Sequence, residues 1–482
     1  IQTLLERAYE DRENDDSENM EVFPDDEKER EEEKEEFENT FNVKFPHFEG
    51  DKTAENVEKY YWDSLLTVRR ALEADKTVAA FGAAQLKAAG QKLAAKNRAV
   101  RADLGNCQDL YTKFHEGEIP AEFVFEKGKS YTTRSVLGAV LAYLNKHTGG
   151  TILTASADLY GSTGAAVIAK DFPAGNFNTQ TNPLSRRLSG GGICEDGMAA
   201  LCTGISAFGK HVGVSASYGA FLAFEHVAAR LHAIGVQSAR EAGVNPTTFT
   251  MFNGHASVPT GEDGPTHADP QSLQLVQDNF PKGACITITP LEVDEIWPLT
   301  VRALSLRPAV FAPFVVRPSY ALMDREALGA DPAIKAVNGV YYLRRAKGKA
   351  AGTVIVQGAG VGRIVVEKVL PALNAGGPDL NVLYVASREL FEALPKEEQD
   401  KILPPEMLRT AIGITDFTLP TLDCWLNSVA GRAHSLYPHK KGEFLSSGSA
   451  DKVYEEAGLD GDSLLAALKN YAHDLAQAQE WL

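Results

Sequence analysis

Long apolar runs are missing from these 482 residues: nowhere do eighteen hydrophobic residues follow one another without interruption, so nothing in the chain asks for a membrane span. Cysteine is scarce. Cys107, Cys194, Cys202, Cys285 and Cys424 are an odd number at irregular spacing with no CxxC pair, which excludes a disulfide framework and the usual zinc or redox pairing. They read as free thiols in a reducing, cytoplasmic compartment. No basic stripe with interleaved aromatics occurs, so nucleic acid is not an expected partner. The N-terminus is neither a basic-then-apolar signal nor an Arg-rich, acid-poor transit segment. Because it starts at Ile1, a processed product, a fragment or a lost leader all stay open.

What the chain does have is ample core material, 44% hydrophobic and 9% aromatic residues, at a length that suggests two or three domains. Its net charge of −17 is concentrated in one place. Glu10 to Glu38 holds seventeen Asp or Glu against four Lys or Arg, a local net of −13. Such a run is normally a solvated tail or an exposed helix supported by i, i+4 pairs. We therefore take residues 1–45 as an acidic segment. Residues 46–120 read as helical, with apolar residues three and four apart in WDSLLTVRRALEADKTVAAF and AAQLKAAGQKLAAKNRAVRADL. Lys87, Lys92, Lys96, Arg98 and Arg101 form a basic face there, either solvated or docked on an acidic surface such as the chain's own Glu-rich run.

After Pro120 the texture changes to short β runs divided by glycine turns and helices. GGTILTASADL, KHVGVSAS, TTFTMFN, ACITITPL and AVFAPFVV alternate with helical AFLAFEHVAARLHAIG and DEIWPLTVRALS, the signature of an α/β domain with a largely parallel sheet. A polar hinge, DREALGADPAIKAVNG, closes this domain near residue 340. A second α/β unit follows with strands in TVIVQGAG, NVLYVAS and RTAIGI, and the chain ends in a helix. The boundaries expected are 121–330 and 331–482. GAGVGR at Gly358–Arg363 has GxGxG rather than GxGxxG spacing, and Ser387 and Arg388 stand where a ribose-binding acid belongs. A tight strand-to-helix turn is expected there rather than a dinucleotide site.

Chemistry concentrates in the first α/β domain. Glu195, in GICEDGM, enters a helix of small residues, where an ionised carboxylate is costly unless paired and burial favours its protonated form. The plainer account is a first-turn glutamate favoured, with Asp196, by the helix dipole. NGHASVPTGEDGPTH gathers His255, Glu262, Asp263 and His267 in one glycine-rich loop, an array of hydrogen-bonding groups better suited to a polyhydroxylated ligand than to a metal.

The succession SADLYGSTG, GICEDGM, AFLAFEHVAAR and HASVPTGEDGPTH, in this order and spacing, resembles the pyrimidine-binding domain of the transketolase family and continues in outline into that family's C-terminal domain, over about residues 110–482. The fold expected is thus two parallel or mixed-sheet α/β domains behind an acidic helical segment. The resemblance implies thiamine diphosphate as cofactor, with Glu195 on N1′ of its aminopyrimidine, favouring the tautomer that deprotonates the thiazolium C2. Phe221 and Phe224 would stack on the ring, although taken alone they read as core residues at i, i+3 spacing. Asp158 would also face the cofactor. Asp263 would recognise the donor ketose, His255 and His267 would contact substrate hydroxyls or phosphate in catalytic roles, and Arg134, Ser162 and Arg317 would hold phosphate. A guanidinium fork suits that task because it donates two parallel hydrogen bonds.

Two departures stand out. The family's GDG motif, followed by an Asn that helps to hold Mg²⁺ and diphosphate, is not found, and HDS before GEDGPTH is altered to HAS. The expectation is one subunit of a split transketolase-like enzyme that transfers a two-carbon ketol unit from a ketose phosphate to an aldose acceptor. A partner chain would bring the Mg²⁺ and diphosphate ligands, in a heterotetramer built on a pyrimidine-domain dimer. Competing readings are the β-type subunit of a 2-oxo acid decarboxylase, a non-catalytic regulatory or scaffolding relative, and a proteolytic fragment of a full-length enzyme.

Overall fold

The computed structural model describes residues 27–48, 50–51, 53–96, 105–157, 160–189 and 192–477. The chain divides into two compact units, residues 1–102 and 103–482. The first contains helices α1 (Glu27–Phe41), α2 (Ala54–Ala74) and α3 (Lys76–Ala95). Asp75 both ends α2 and begins α3. Its carboxylate accepts from the amides of Thr77 and Val78 at 2.8 and 3.2 Å, and the Val78 and Thr77 bonds hold it below the usual aspartate range. Lys87 and Lys92 are exposed on α3 and Lys96 is exposed just after its end, whereas Arg98, Arg101 and the acidic residues before Glu27 lie outside the described residues. Among the described residues no helix is long and apolar enough to cross a membrane.

The second unit holds β1 (Ser130–Tyr131), β2 (Ile152–Ser156), β3 (Val212–Ser217), β4 (Phe249–Asn253), β5 (Cys285–Ile288), β6 (Val310–Pro313), β7 (Tyr320–Ala321), β8 (Val340–Arg344), β9 (Thr353–Gln357), β10 (Asn381–Val385) and β11 (Ala411–Thr415). A five-stranded parallel sheet runs β2-β3-β4-β6-β5, and a four-stranded mixed sheet runs β11-β9-β10-β8. Strands of the parallel sheet are buried throughout, as their near-continuous apolar runs require. Residues ahead of Pro120 also belong to this unit: Cys107, Leu110 and Tyr111 are buried, and the Tyr111 hydroxyl accepts from the Thr248 amide at 2.8 Å.

On β3 the two faces divide cleanly by the period of two. Val212, Val214 and Ala216 enter the larger core. Gly213, Ser215 and Ser217 look the other way, towards helices α5 (Glu195–Ala207) and α6 (Leu222–Glu241), which follow α4 (Thr133–His147) in the chain. Gly213 permits the closeness of α5, since a Cβ there would lie 2.1 Å from the Cys202 carbonyl oxygen.

β8, which the sequence reading did not single out, follows directly on the polar hinge at residues 324–339. VYYLR is too short to declare itself, and its antiparallel pairing with β10 comes from tertiary packing. At Gly358 the GxGxG segment is a structural turn. The buried Asp416 carboxylate accepts from the amides of Gly360 and Val361 at 2.8 and 3.0 Å and from the Tyr454 hydroxyl at 2.7 Å. A Cβ on Gly360 would meet that hydroxyl at 1.9 Å. The chain's own carboxylate thus occupies the place a pyrophosphate would need.

Buried charges join the two domains of this unit. Arg325 lies 2.5 Å from Glu295, 3.4 Å from Asp294 and 3.8 Å from Glu292, which also takes Arg363 at 3.1 Å. Burial pushes Glu292 up to about 8 and raises Glu295 as well, while Arg325 pulls both back towards ionisation.

Candidate active site

The residues of interest collect at the carboxyl ends of β2, β3, β4 and β6, the edge where open parallel sheets bind ligands. Glu195 is the first residue of α5 and only 9% exposed. Its Oε1 accepts from Ser217 Oγ at 3.0 Å, and its other oxygen has no hydrogen-bond partner among the described residues. A nearly buried carboxylate with one oxygen anchored and one available suits a ring nitrogen.

Strand β3 continues past Ser217 into Tyr218, whose ring lies 3.8 Å from that of His255 and 5.3 Å from that of His267. Phe221 meets His267 edge-on at 5.2 Å. His255, after β4, is 1% exposed. Its Nε2 faces Arg134 Nη1, which also donates to the Ser162 carbonyl. A guanidinium only donates, so Nε2 accepts and the imidazole proton sits on Nδ1. Among the described residues that nitrogen is buried without a hydrogen-bond partner, as is Arg134 Nε. Two such donors on side chains in contact fit oxygen atoms of a hydroxylated or phosphorylated ligand.

Burial, then the charges of Arg134, Arg317 and His267, push His255 down to about 3, so it is neutral at physiological pH. The unfolded chain, with its ordinary imidazole near 6.5, binds the proton more readily across that interval. Stability attributable to this residue is therefore present above about pH 6.5 and lost as pH falls towards 3. His255→Gln is expected to reduce the acid-side loss. Urea midpoints at about pH 7 and pH 5 check this, and an identical drop in both proteins would contradict it.

Arg317, beyond β6, is forked between two carboxylates, with Nη1 3.2 Å from Asp263 and Nη2 3.1 Å from Glu262. The loop that carries them is tied to the C-terminal domain, where Gly448 N donates to the Gly261 carbonyl at 3.0 Å and Ser447 Oγ to that of Glu262 at 3.1 Å. Arg134, Ser162, His255 and His267 thus come together, with Asp263 and Arg317 paired beside them and Glu195 linked through Ser217 and Tyr218. Asp158 lies outside the described residues.

Phe224 is not a core residue: it is 60% exposed, and Val227, Leu231 and Ile234 continue an exposed apolar stripe along α6. The same helix buries Glu225 and His232. Sequence reasoning missed Tyr218, Glu225 and the second carboxylate on Arg317. Tyr218 carried a signal in its place directly after a strand, and Glu225 in sharing a helix face with Leu222 and Ala229. Among the described residues no group of three His, Cys, Asp or Glu is placed to hold a metal ion.

Residues 129–312 match the model of the transketolase pyrimidine-binding domain. The transketolase of Geobacillus stearothermophilus is 28% identical over 303 residues, 61% of this chain and 41% of that protein. That of Rhodobacter capsulatus is 26% identical over 347 residues, 72% of this chain and 47% of that protein. The chain spans less than half the length of these curated relatives. Among solved structures, transketolase from Leishmania mexicana superposes with a TM-score of 0.61 at 17% identity, covering 88% of this chain and 55% of that one, a likeness of fold. The chain is therefore similar to the transketolases, and the part of it that matches the pyrimidine-binding domain of that family is residues 129–312.

Proposed function

We propose that this chain is the pyrimidine-domain subunit of a thiamine-diphosphate-dependent, transketolase-type transferase, moving a two-carbon ketol unit between sugar phosphates. The observation that carries the reading is the half-built character of the site. Glu195 begins a helix that packs on α6, and α6 turns an apolar stripe headed by Phe224 outward. A stripe of that kind marks a surface covered in the working assembly. Self-association through this domain, with a partner chain bearing the GDG motif and the Mg²⁺ and diphosphate ligands, would complete it as a heterotetramer.

The residues present fit the aminopyrimidine end of the cofactor. Glu195 would offer the ring the oxygen that has no hydrogen-bond partner among the described residues and would hold or yield a proton there, with Phe221 and Phe224 supplied from the start of α6. When bound, thiamine diphosphate supplies the nucleophilic carbon for cleavage of the sugar's carbon–carbon bond. His255, a neutral imidazole donating from Nδ1, would bind a substrate oxygen, with His267 across the Tyr218 ring. Arg134 and Arg317 would bind phosphate, Arg317 exchanging a carboxylate for it. Asp263 would orient the donor ketose. Ketose chemistry is favoured over 2-oxo acid decarboxylation by this density of hydroxyl- and phosphate-binding groups around one recess.

Asp263→Ala is accordingly expected to raise KM for the donor ketose about tenfold or more, the loss of one charge-assisted hydrogen bond, while thiamine diphosphate affinity stays put. Equal weakening of both would show the loop to be a scaffold only. Isolation of the native complex, with peptide sequencing of each co-purifying chain, tests the assembly. A stoichiometric GDG-bearing partner supports it, and the intact chain purified without one, unable to bind thiamine diphosphate, overturns it.

A further inference from the structure

Glu225 lies in the first turn of α6, one residue beyond Phe224, and is 3% exposed. Its Oε1 accepts from Ser215 Oγ at 2.9 Å. Ser215 and Ser217 are two apart on β3 and so project from one face of the sheet. Each delivers its hydroxyl to a different glutamate, Ser215 to Glu225 and Ser217 to Glu195. Two helices thereby each anchor one carboxylate to the same strand, through serines about 7 Å apart along the backbone.

We propose that Glu225 is a positioning residue for Glu195: the two carboxylates, registered by Ser215 and Ser217, take up and release protons as a coupled pair. The arrangement leaves little alternative role for Glu225. No cation pairs with it among the described residues. Facing it from α5 are Glu195 and the buried thiol of Cys202, while β4 and β6 contribute Phe249, Met251, Val310 and Ala312 to the same core. An ionised carboxylate is costly there. Burial, opposed by the Ser215 hydroxyl and reinforced by Glu195, pushes Glu225 up to about 8. At neutral pH it is a carboxylic acid.

The pair therefore retains one proton over the range in which an isolated, solvated glutamate has none. That proton is stored on Glu225, whose serine stands two residues along β3 from the serine that holds Glu195. The structural alternative, a buried acid filling space, accounts for the Ser215 bond but gives Glu225 no dependence on Glu195. The catalytic consequence rests on reading Glu195 as the cofactor's partner, whereas the coupling itself does not.

The test uses the full chain with ¹³C-labelled glutamate side chains, following carboxyl shifts from acid to alkaline pH. Wild type should show a late-titrating carboxyl near the value given above that is absent from Glu225→Gln, beside the late carboxyl of Glu292, which both variants keep. In Glu195→Gln, loss of the neighbouring like charge should lower that late midpoint by about one pH unit. A late midpoint that does not move, with both variants folded by thermal melting, overturns the coupling. Both glutamines keep the acceptor oxygen for their serine, which favours folding, and Ser217→Ala, freeing Glu195 from the strand, should lower the same midpoint in the same direction. A separate measurement addresses the cofactor: the pH profile of thiamine diphosphate affinity in the native complex should narrow in Glu225→Gln. Coupling with an unchanged profile would leave the pair intact and remove its assignment to the cofactor.

Discussion

Glu195→Gln should lower thiamine-diphosphate-dependent ketol transfer by about 10²- to 10⁴-fold, the usual contribution of a positioned general acid–base group. The amide is nearly the same size as the carboxyl and still accepts from Ser217 Oγ, which now lies 3.0 Å from Oε1. It can neither hold nor pass a proton. Folding should hardly change, because the substitution removes only one first-turn charge from α5, about 0.3–1 kcal/mol of dipole interaction. The pair of readings separates chemistry from stability: turnover by the complete enzyme, and a thermal melt of the same sample. Full turnover in the variant would remove Glu195 from the mechanism. Lost turnover with a collapsed melt would assign it to the fold instead.

The largest expected effect on stability is remote from the site. Arg325→Met strips the cation from Glu295 and leaves Glu292 only Arg363, two acids that burial already makes hard to ionise. Leaving such charges unpaired typically costs about 3–5 kcal/mol. Because Tyr341 also donates to Glu295, and Arg363 reaches Glu292 from the second domain, the damage should fall on the junction between the two sheets. Urea denaturation of Arg325→Met should show a markedly lower midpoint, and Arg325→Met with Glu295→Gln should recover part of it. If the double change were as unstable as the single one, packing of the arginine stem rather than unpaired charge would be the cause.

Much of this architecture was legible residue by residue. The strand segments read from GGTILTASADL to RTAIGI are β2 to β6 and β9 to β11, since parallel strands buried on both faces must be written as apolar runs. The turn at Gly358 was also legible, because its glycine spacing is wrong for a dinucleotide. The partner that closes it, Asp416, was not, being fifty-six residues downstream of Gly360. β8 escaped because five residues after a polar stretch carry too little pattern. In the site, GEDGPTH announced its hydrogen-bonding groups, but that Arg317 would be forked by both Glu262 and Asp263 depends on where β6 ends. Phe224 was misleading when taken alone: i, i+3 aromatics on a helix normally point inward, and here the inward face of α6 carries Glu225 and His232 instead.

By itself, then, the sequence determined the α/β class, the concentration of acid near the N-terminus, and the order of Glu195, His255, Asp263 and His267 along the chain, since periodicity and motif are local properties of neighbouring residues. Tertiary structure alone decided what those residues face. Proton placement on His255 follows from the approach of Arg134 across 121 positions, and the anchoring of Glu195 and Glu225 on Ser217 and Ser215 from the packing of two helices on one side of β3. Ionisation and hydrogen bonding depend on distance and burial in three dimensions, and neither is encoded in any single stretch of chain.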